Sequence, residues 1–64
     1  MEKEEFYSRL SYSTKNGFSY AGNGIFIITE GNGWKLVNSR TWEKLFYSEN
    51  KEDLYRFFKD VCKQ

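Results

Sequence analysis

The chain has 64 residues, with 10 basic and 9 acidic side chains, a formal net charge of +1, no histidine, no proline and a single cysteine. So short a chain supports one core, burying about 60% of the surface its unfolded form exposes, and two of the usual staples are excluded: Cys62 has no second cysteine to bridge, and without histidine there is no Cys/His zinc set. The charge balance gives no global pull toward nucleic acid or an anionic membrane, and a mean hydropathy of -0.79, with residues 25–28 as the longest apolar run, speaks against a membrane span.

The expectation is therefore one domain over residues 1–64, held together by aromatic packing (20% of residues) or by a partner. Glu2, Lys3, Glu4 and Glu5 at the start do not read as a secretory leader, which points to the cytoplasm.

In chain order, residues 6–13 alternate, with Phe6, Leu10 and Tyr12 opposed to Tyr7, Arg9, Ser11 and Ser13, the period of a half-buried strand. A helix over residues 2–10 competes with it, because Phe6 and Leu10 are four apart and the leading acids suit a first helical turn. Residues 18–21 read as a short strand. Asn-Gly then punctuates the chain at Asn16-Gly17, Asn23-Gly24 and Asn32-Gly33, each beside residues of high strand propensity, which predicts repeated hairpins. A type I′ turn at Asn32-Gly33 would join residues 25–30 to residues 34–38 with Glu30 facing Lys35. Ile25, Ile27, Thr29, Trp34 and Leu36 would then share one face, and Phe26, Ile28, Glu30, Lys35 and Val37 the other. Residues 42–47 alternate as Trp42, Lys44 and Phe46 against Glu43, Leu45 and Tyr47, and pair next.

The last element is a helix, with Leu54, Phe57, Phe58, Val61 and Cys62 on one stripe. Asn50 stands at its cap, Glu52 and Asp53 in its first turn, Lys59 and Lys63 toward its end, and Glu52 and Arg56 are spaced for an ion pair. If the stripe is core, Phe57→Ala should cost about 3–5 kcal/mol. The fold class is α+β: a small antiparallel meander of three to five strands with one C-terminal amphipathic helix packed on one face.

Catalysis is not expected. There is no histidine, Cys62 beside Val61 reads as a small core hydrophobe, and Glu30, Glu43 and Glu49 show no pairing in their spacing. Gly22-Asn23-Gly24 and Gly31-Asn32-Gly33 lack the dinucleotide fingerprint and the P-loop ending, so they read as turns, and neither a cofactor nor a metal is expected. Nucleic-acid binding is the rival reading: Arg9, Lys15, Lys35, Arg40 and Lys44 interleave with Tyr7, Tyr12, Trp34 and Trp42, although Glu30, Glu43 and Glu49 dilute the charge.

The run Thr41-Trp42-Glu43, preceded by Trp34-Lys35 and followed by a helix with Phe57 and Phe58, resembles the end of a chromodomain across less than half the chain, though without a proline after Glu43. That resemblance implies a three-stranded sheet, a C-terminal helix and an aromatic cage for methyl-lysine, with no cage residue assigned here.

The preferred reading is protein recognition, because one helix cannot cover both faces of a sheet that carries large apolar groups on each. The residue types that dominate interfaces single out Trp34, Trp42, Tyr47, Tyr55 and Arg40, with Lys35 beside them. The partner would be another protein or a second copy of the chain. Should the N-terminal segment fold back over the second face, that face would be ordinary core.

Overall fold

In the computed structural model, which describes residues 1–63, the N-terminal segment is a helix, α1 (Lys3–Asn16), and not the strand suggested by the alternation over residues 6–13. The helix prevails because Phe6, Leu10 and Ser13 fall on one stripe, and all three are buried. A serine in the stripe's third position hid the period. Its hydroxyl donates to the Ile27 carbonyl at 3.2 Å and shares a 2.9 Å hydrogen bond with Thr29 Oγ1, so the buried polar group is satisfied. Glu4 and Glu5 occupy the first turn, and Gly17, at φ 98°, ends the helix with its N–H on the Ser13 carbonyl. The first Asn-Gly pair is thus a helix stop and not a hairpin.

Four strands follow, β1 (Phe18–Gly22), β2 (Ile25–Glu30), β3 (Gly33–Asn38) and β4 (Lys44–Ser48), paired antiparallel in the order β1-β2-β3-β4. Asn23 and Gly24, at φ 55° and 75°, make the two-residue β1–β2 turn with the positive dihedrals of type I′. The β2–β3 turn is centred instead on Gly31-Asn32, with positive φ at Gly31 only, the sign pattern of type II′. Gly33 belongs to the strand. A Cβ there would lie 2.5 Å from the Ser48 carbonyl oxygen and 2.9 Å from Glu49 Cα, so β4 approaches too closely for a side chain.

The turn's position moves the register by two residues relative to the expectation: Lys35 pairs with Ile28, and Glu30 reaches it diagonally in a 3.2 Å ion pair. An even shift leaves every side chain on its expected face, whereas a shift of one would have exchanged the faces.

The chain closes with α2 (Lys51–Cys62), capped by Asn50, whose Oδ1 accepts the N–H groups of Glu52 at 2.8 Å and Asp53 at 3.3 Å. Arg56 pairs with Asp53 at 3.5 Å and not with Glu52. Both helices lie on the same face of the sheet, α1 against β1 and β2, α2 against β4, and they touch each other. The core joins Phe6 and Leu10 of α1, Ala21, Ile25, Ile27 and Leu36 of the sheet, and Leu54 and Phe58 of α2. The fold is therefore α+β, an antiparallel four-stranded meander with a helix at each end. It has one strand more than the chromodomain resemblance implied, and the added helix is N-terminal.

Cys62 corrects one expectation: it is exposed at the end of α2, where its Sγ accepts a 2.9 Å hydrogen bond from Asn23 Nδ2. The stripe loses contact there because the final turn has run past the core to the β1–β2 turn.

Candidate functional site

Placing both helices on one face leaves the other open. Register assigns to that face the row Tyr20, Phe26, Val37 and Lys44 and the row Phe18, Ile28, Lys35 and Tyr47. Inward residues of β1 are small, Ser19 and Ala21, and both are buried. Ser19 Oγ donates to the Arg9 carbonyl at 2.7 Å, so α1 sits almost on the backbone of β1. The bulky members of β1, Phe18 and Tyr20, are consequently the ones turned to solvent.

Phe26 is the hub of the open face. Phe18 and Tyr20 meet it edge-on, with ring centroids 6.0 and 5.3 Å away, and Trp42 stacks flat on it at 5.4 Å with an interplanar angle of 13°. Offset and edge-to-face arrangements of this kind are the favoured ones for aromatic rings. Phe18, Tyr20, Trp42 and Tyr47 remain 55%, 48%, 61% and 37% exposed, while Val37 on the same face is buried. Among the described residues only the loop of residues 39–43 reaches over this face, through Trp42 itself.

That loop is rigidly built. Asn38 Oδ1 accepts the N–H groups of Arg40 at 2.8 Å and Thr41 at 3.2 Å, and the Asn38 carbonyl accepts the Trp42 N–H at 2.8 Å. Asn38 N–H donates to the Glu43 carbonyl at 2.9 Å, and Thr41 Oγ1 accepts the Glu43 N–H at 3.3 Å. These bonds hold Trp42 at φ 64°, in the left-handed region that disfavours a bulky side chain. An exposed indole kept in an unfavourable backbone conformation is the kind of strain that tends to gather at functional positions.

The charges divide by end. Near the β2–β3 turn, Glu30 pairs with Lys35, and Tyr47 Oη donates a long 3.5 Å hydrogen bond to Glu49 Oε2. Desolvation, then the Glu49 charge and hydrogen bond, then the Glu30 charge, push the Tyr47 phenol above its ordinary value. At the opposite end stand Lys44 and the Arg40 loop, and among the described residues no carboxylate lies within ion-pair distance of either.

The residues singled out from sequence separate accordingly. Trp42, Tyr47 and Lys35 belong to the open face, and Arg40 to the loop at its edge. Trp34 is on the helix side, its Nε1 directed at the Leu10 carbonyl at 3.2 Å and Thr14 Oγ1 at 3.0 Å. Tyr55 is there too, 5.6 Å from the Phe6 ring, with its hydroxyl donating to the Met1 carbonyl at 3.2 Å and the Lys59 ammonium 5.3 Å from its ring. Phe18, Tyr20, Phe26 and Ile28 were missed as site residues. Their signal was the alternation of large aromatics with Ser19 and Ala21, which reads as small residues yielding room to a helix.

The basic and aromatic set proposed for nucleic acid is dispersed, since Tyr7, Arg9, Tyr12 and Lys15 all lie on α1, in the other layer. Tyr7 lies 5.9 Å from the Lys3 ammonium and 5.7 Å from that of Lys51. Among the described residues no three His, Cys, Asp or Glu side chains converge to hold a metal ion, and no helix is long and apolar enough to cross a membrane. Comparisons with protein-family models, with curated proteins and with solved structures find no match to this chain.

Proposed function

We propose that this chain is a small non-catalytic binding or regulatory protein, acting in the cytoplasm, that docks on a protein surface through the open face of its sheet. The observation that carries this reading is the cluster of three exposed rings, Phe18, Tyr20 and Trp42, gathered around Phe26 on a face that neither helix covers, with exposed Tyr47 further along the same face. At about 200 Å² per ring, the exposed fractions of the three clustered rings amount to about 330 Å², and Tyr47 adds about 70 Å² further along the face, within the size range of the patches that mark interaction sites on small proteins.

Aromatic anchors in such a patch supply most of the energy of an interface, and a polar rim supplies register. Here Trp42 and Phe18 are the anchors, while Lys35, Lys44 and Arg40 belong to the rim. The low net charge and the scattering of basic residues favour a protein partner over nucleic acid, whose affinity depends on phosphate neutralisation.

The test is photo-crosslinking in the cells that encode the chain, with a benzophenone amino acid at position 42 and, as control, at position 56 on the exposed face of α2. Protein adducts specific to position 42 are expected. Equal adducts from both positions, or adducts to nucleic acid alone, would refute the proposal.

A further inference from the structure

Building on the docking reading, we infer that the open face is occupied by a second copy of this chain, with the two sheets packed face to face and the ends of their strands exchanged. Three observations converge on that occupant. The face is a broad pleated surface and not a groove, so its shape complement is another twisted sheet, and two sheets pack with strands within about 30° of parallel or antiparallel at a separation of about 10 Å. The rings of two copies together contribute about 800 Å², and the surrounding aliphatic and polar rim brings the total past the roughly 1,000 Å² that a specific interface needs. Each copy would hide about a tenth of its 4345 Å² surface through the rings alone, the usual share for a small protein in a stable complex. Finally, 64 residues without a disulfide or a histidine lack the common staples, and self-association is one of the remaining means by which such a chain gains stability.

Charge sets the orientation. Lys44, opposite Val37, stands at one end of the face, and Glu49, beside the Tyr47 hydroxyl, stands at the other. The five-residue step between them spans about 16 Å of strand. With β4 at the sheet's edge, a two-fold axis parallel to the strands would lay β4 over the partner's β1 and give neither Lys44 nor Glu49 an opposite charge. An axis in the interface plane but perpendicular to the strands sets Lys44 of each copy over Glu49 of the other, twice by symmetry. Only the second arrangement is self-complementary in charge. Trp42, held in place by the Asn38 hydrogen bonds, enters this interface already ordered, so little further freedom is lost on association.

Sedimentation equilibrium of the purified full chain from about 10 µM to about 1 mM tests the inference, with a dimer of dissociation constant about 100 µM or tighter expected. Trp42→Glu and Phe18→Glu should each weaken association at least tenfold while far-UV circular dichroism shows an unchanged fold. Lys44→Glu alone and Glu49→Lys alone should each weaken it by roughly three- to tenfold. An equimolar mixture of those two variants should associate as well as wild type, because each restores the other's pairing; this readout does not depend on either variant's stability. A monomer throughout the range, or a dimer indifferent to both aromatic substitutions, would overturn the inference. A monomeric chain that still crosslinks to another protein from position 42 would remove the second copy as occupant and leave the docking surface standing. Failure of both experiments would remove both.

Discussion

Replacing Trp42 by glycine should separate binding from folding. The indole is 61% exposed, so about 100 Å² of its surface is covered, chiefly by Phe26, and its loss costs at most about 2.5 kcal/mol at 25 cal/mol per Å². Against that, glycine adopts φ 64° freely, whereas a side chain in the left-handed region costs roughly 1–2 kcal/mol. The two terms offset one another, leaving a net destabilisation of about 1 kcal/mol. Trp34 is the internal control. Its ring packs half-buried against the core and its Nε1 faces two acceptors on α1, so Trp34→Ala should cost about 2–4 kcal/mol, a large part of the total stability of a domain this size. Urea unfolding followed by far-UV circular dichroism, at low micromolar concentration where association adds little, reads both values. If Trp42→Gly cost as much as Trp34→Ala, the outer indole would be part of the core and the open face would not be a docking surface.

Within α2, Phe58→Ala should cost about 3–5 kcal/mol and Phe57→Ala roughly half as much, because Phe58 is buried against Phe6 while Phe57 is half-buried on Phe46; the reverse order in urea titrations would rotate the helix. Gly33→Ala should destabilise by about 2 kcal/mol or more, since the new methyl meets the backbone of residues 48 and 49 and not a flexible side chain, and a thermal midpoint equal to wild type would contradict that close approach. Tyr47 should ionise above the ordinary phenol value of about 10. A phenol whose folded value is raised contributes stability that is full below the unfolded value and is lost as pH climbs through the folded one. Glu49→Gln should bring the titration back toward the ordinary value by phenolate absorbance, and no movement would assign the shift to desolvation and Glu30.

The C-terminal helix was legible because its apolar stripe, its Asn50 cap and its first-turn acids all point the same way, and each is a local property of the chain. The two faces of β2 and β3 were legible for a similar reason: alternation survives an even shift in register, so misplacing the turn at Asn32-Gly33 moved the pairs without moving the faces. The N-terminal helix was not. Ser13 occupies its stripe, and only the Ile27 carbonyl and the Thr29 hydroxyl, 14 and 16 residues away, make that position suitable for a buried serine.

Local pattern thus determined the fold class, the faces of β2 and β3 and the presence of a surplus of aromatic surface, but not the faces of β4, where a register shift opposite Leu36 and Val37 puts Lys44 and Phe46, expected together, on opposite sides. Which tryptophan belonged to that surplus was a tertiary decision. Trp34 and Trp42 both read as strand aromatics, and they diverge because α1 joined α2 on one side of the sheet, where Trp34 packs half-buried against α1, while Trp42 reaches from the loop of residues 39–43 onto the other side. Nothing within either residue's neighbourhood encodes that choice. It depends on where two helices separated by the whole sheet find room, and on the small side chains of Ser19 and Ala21 that let one of them come close.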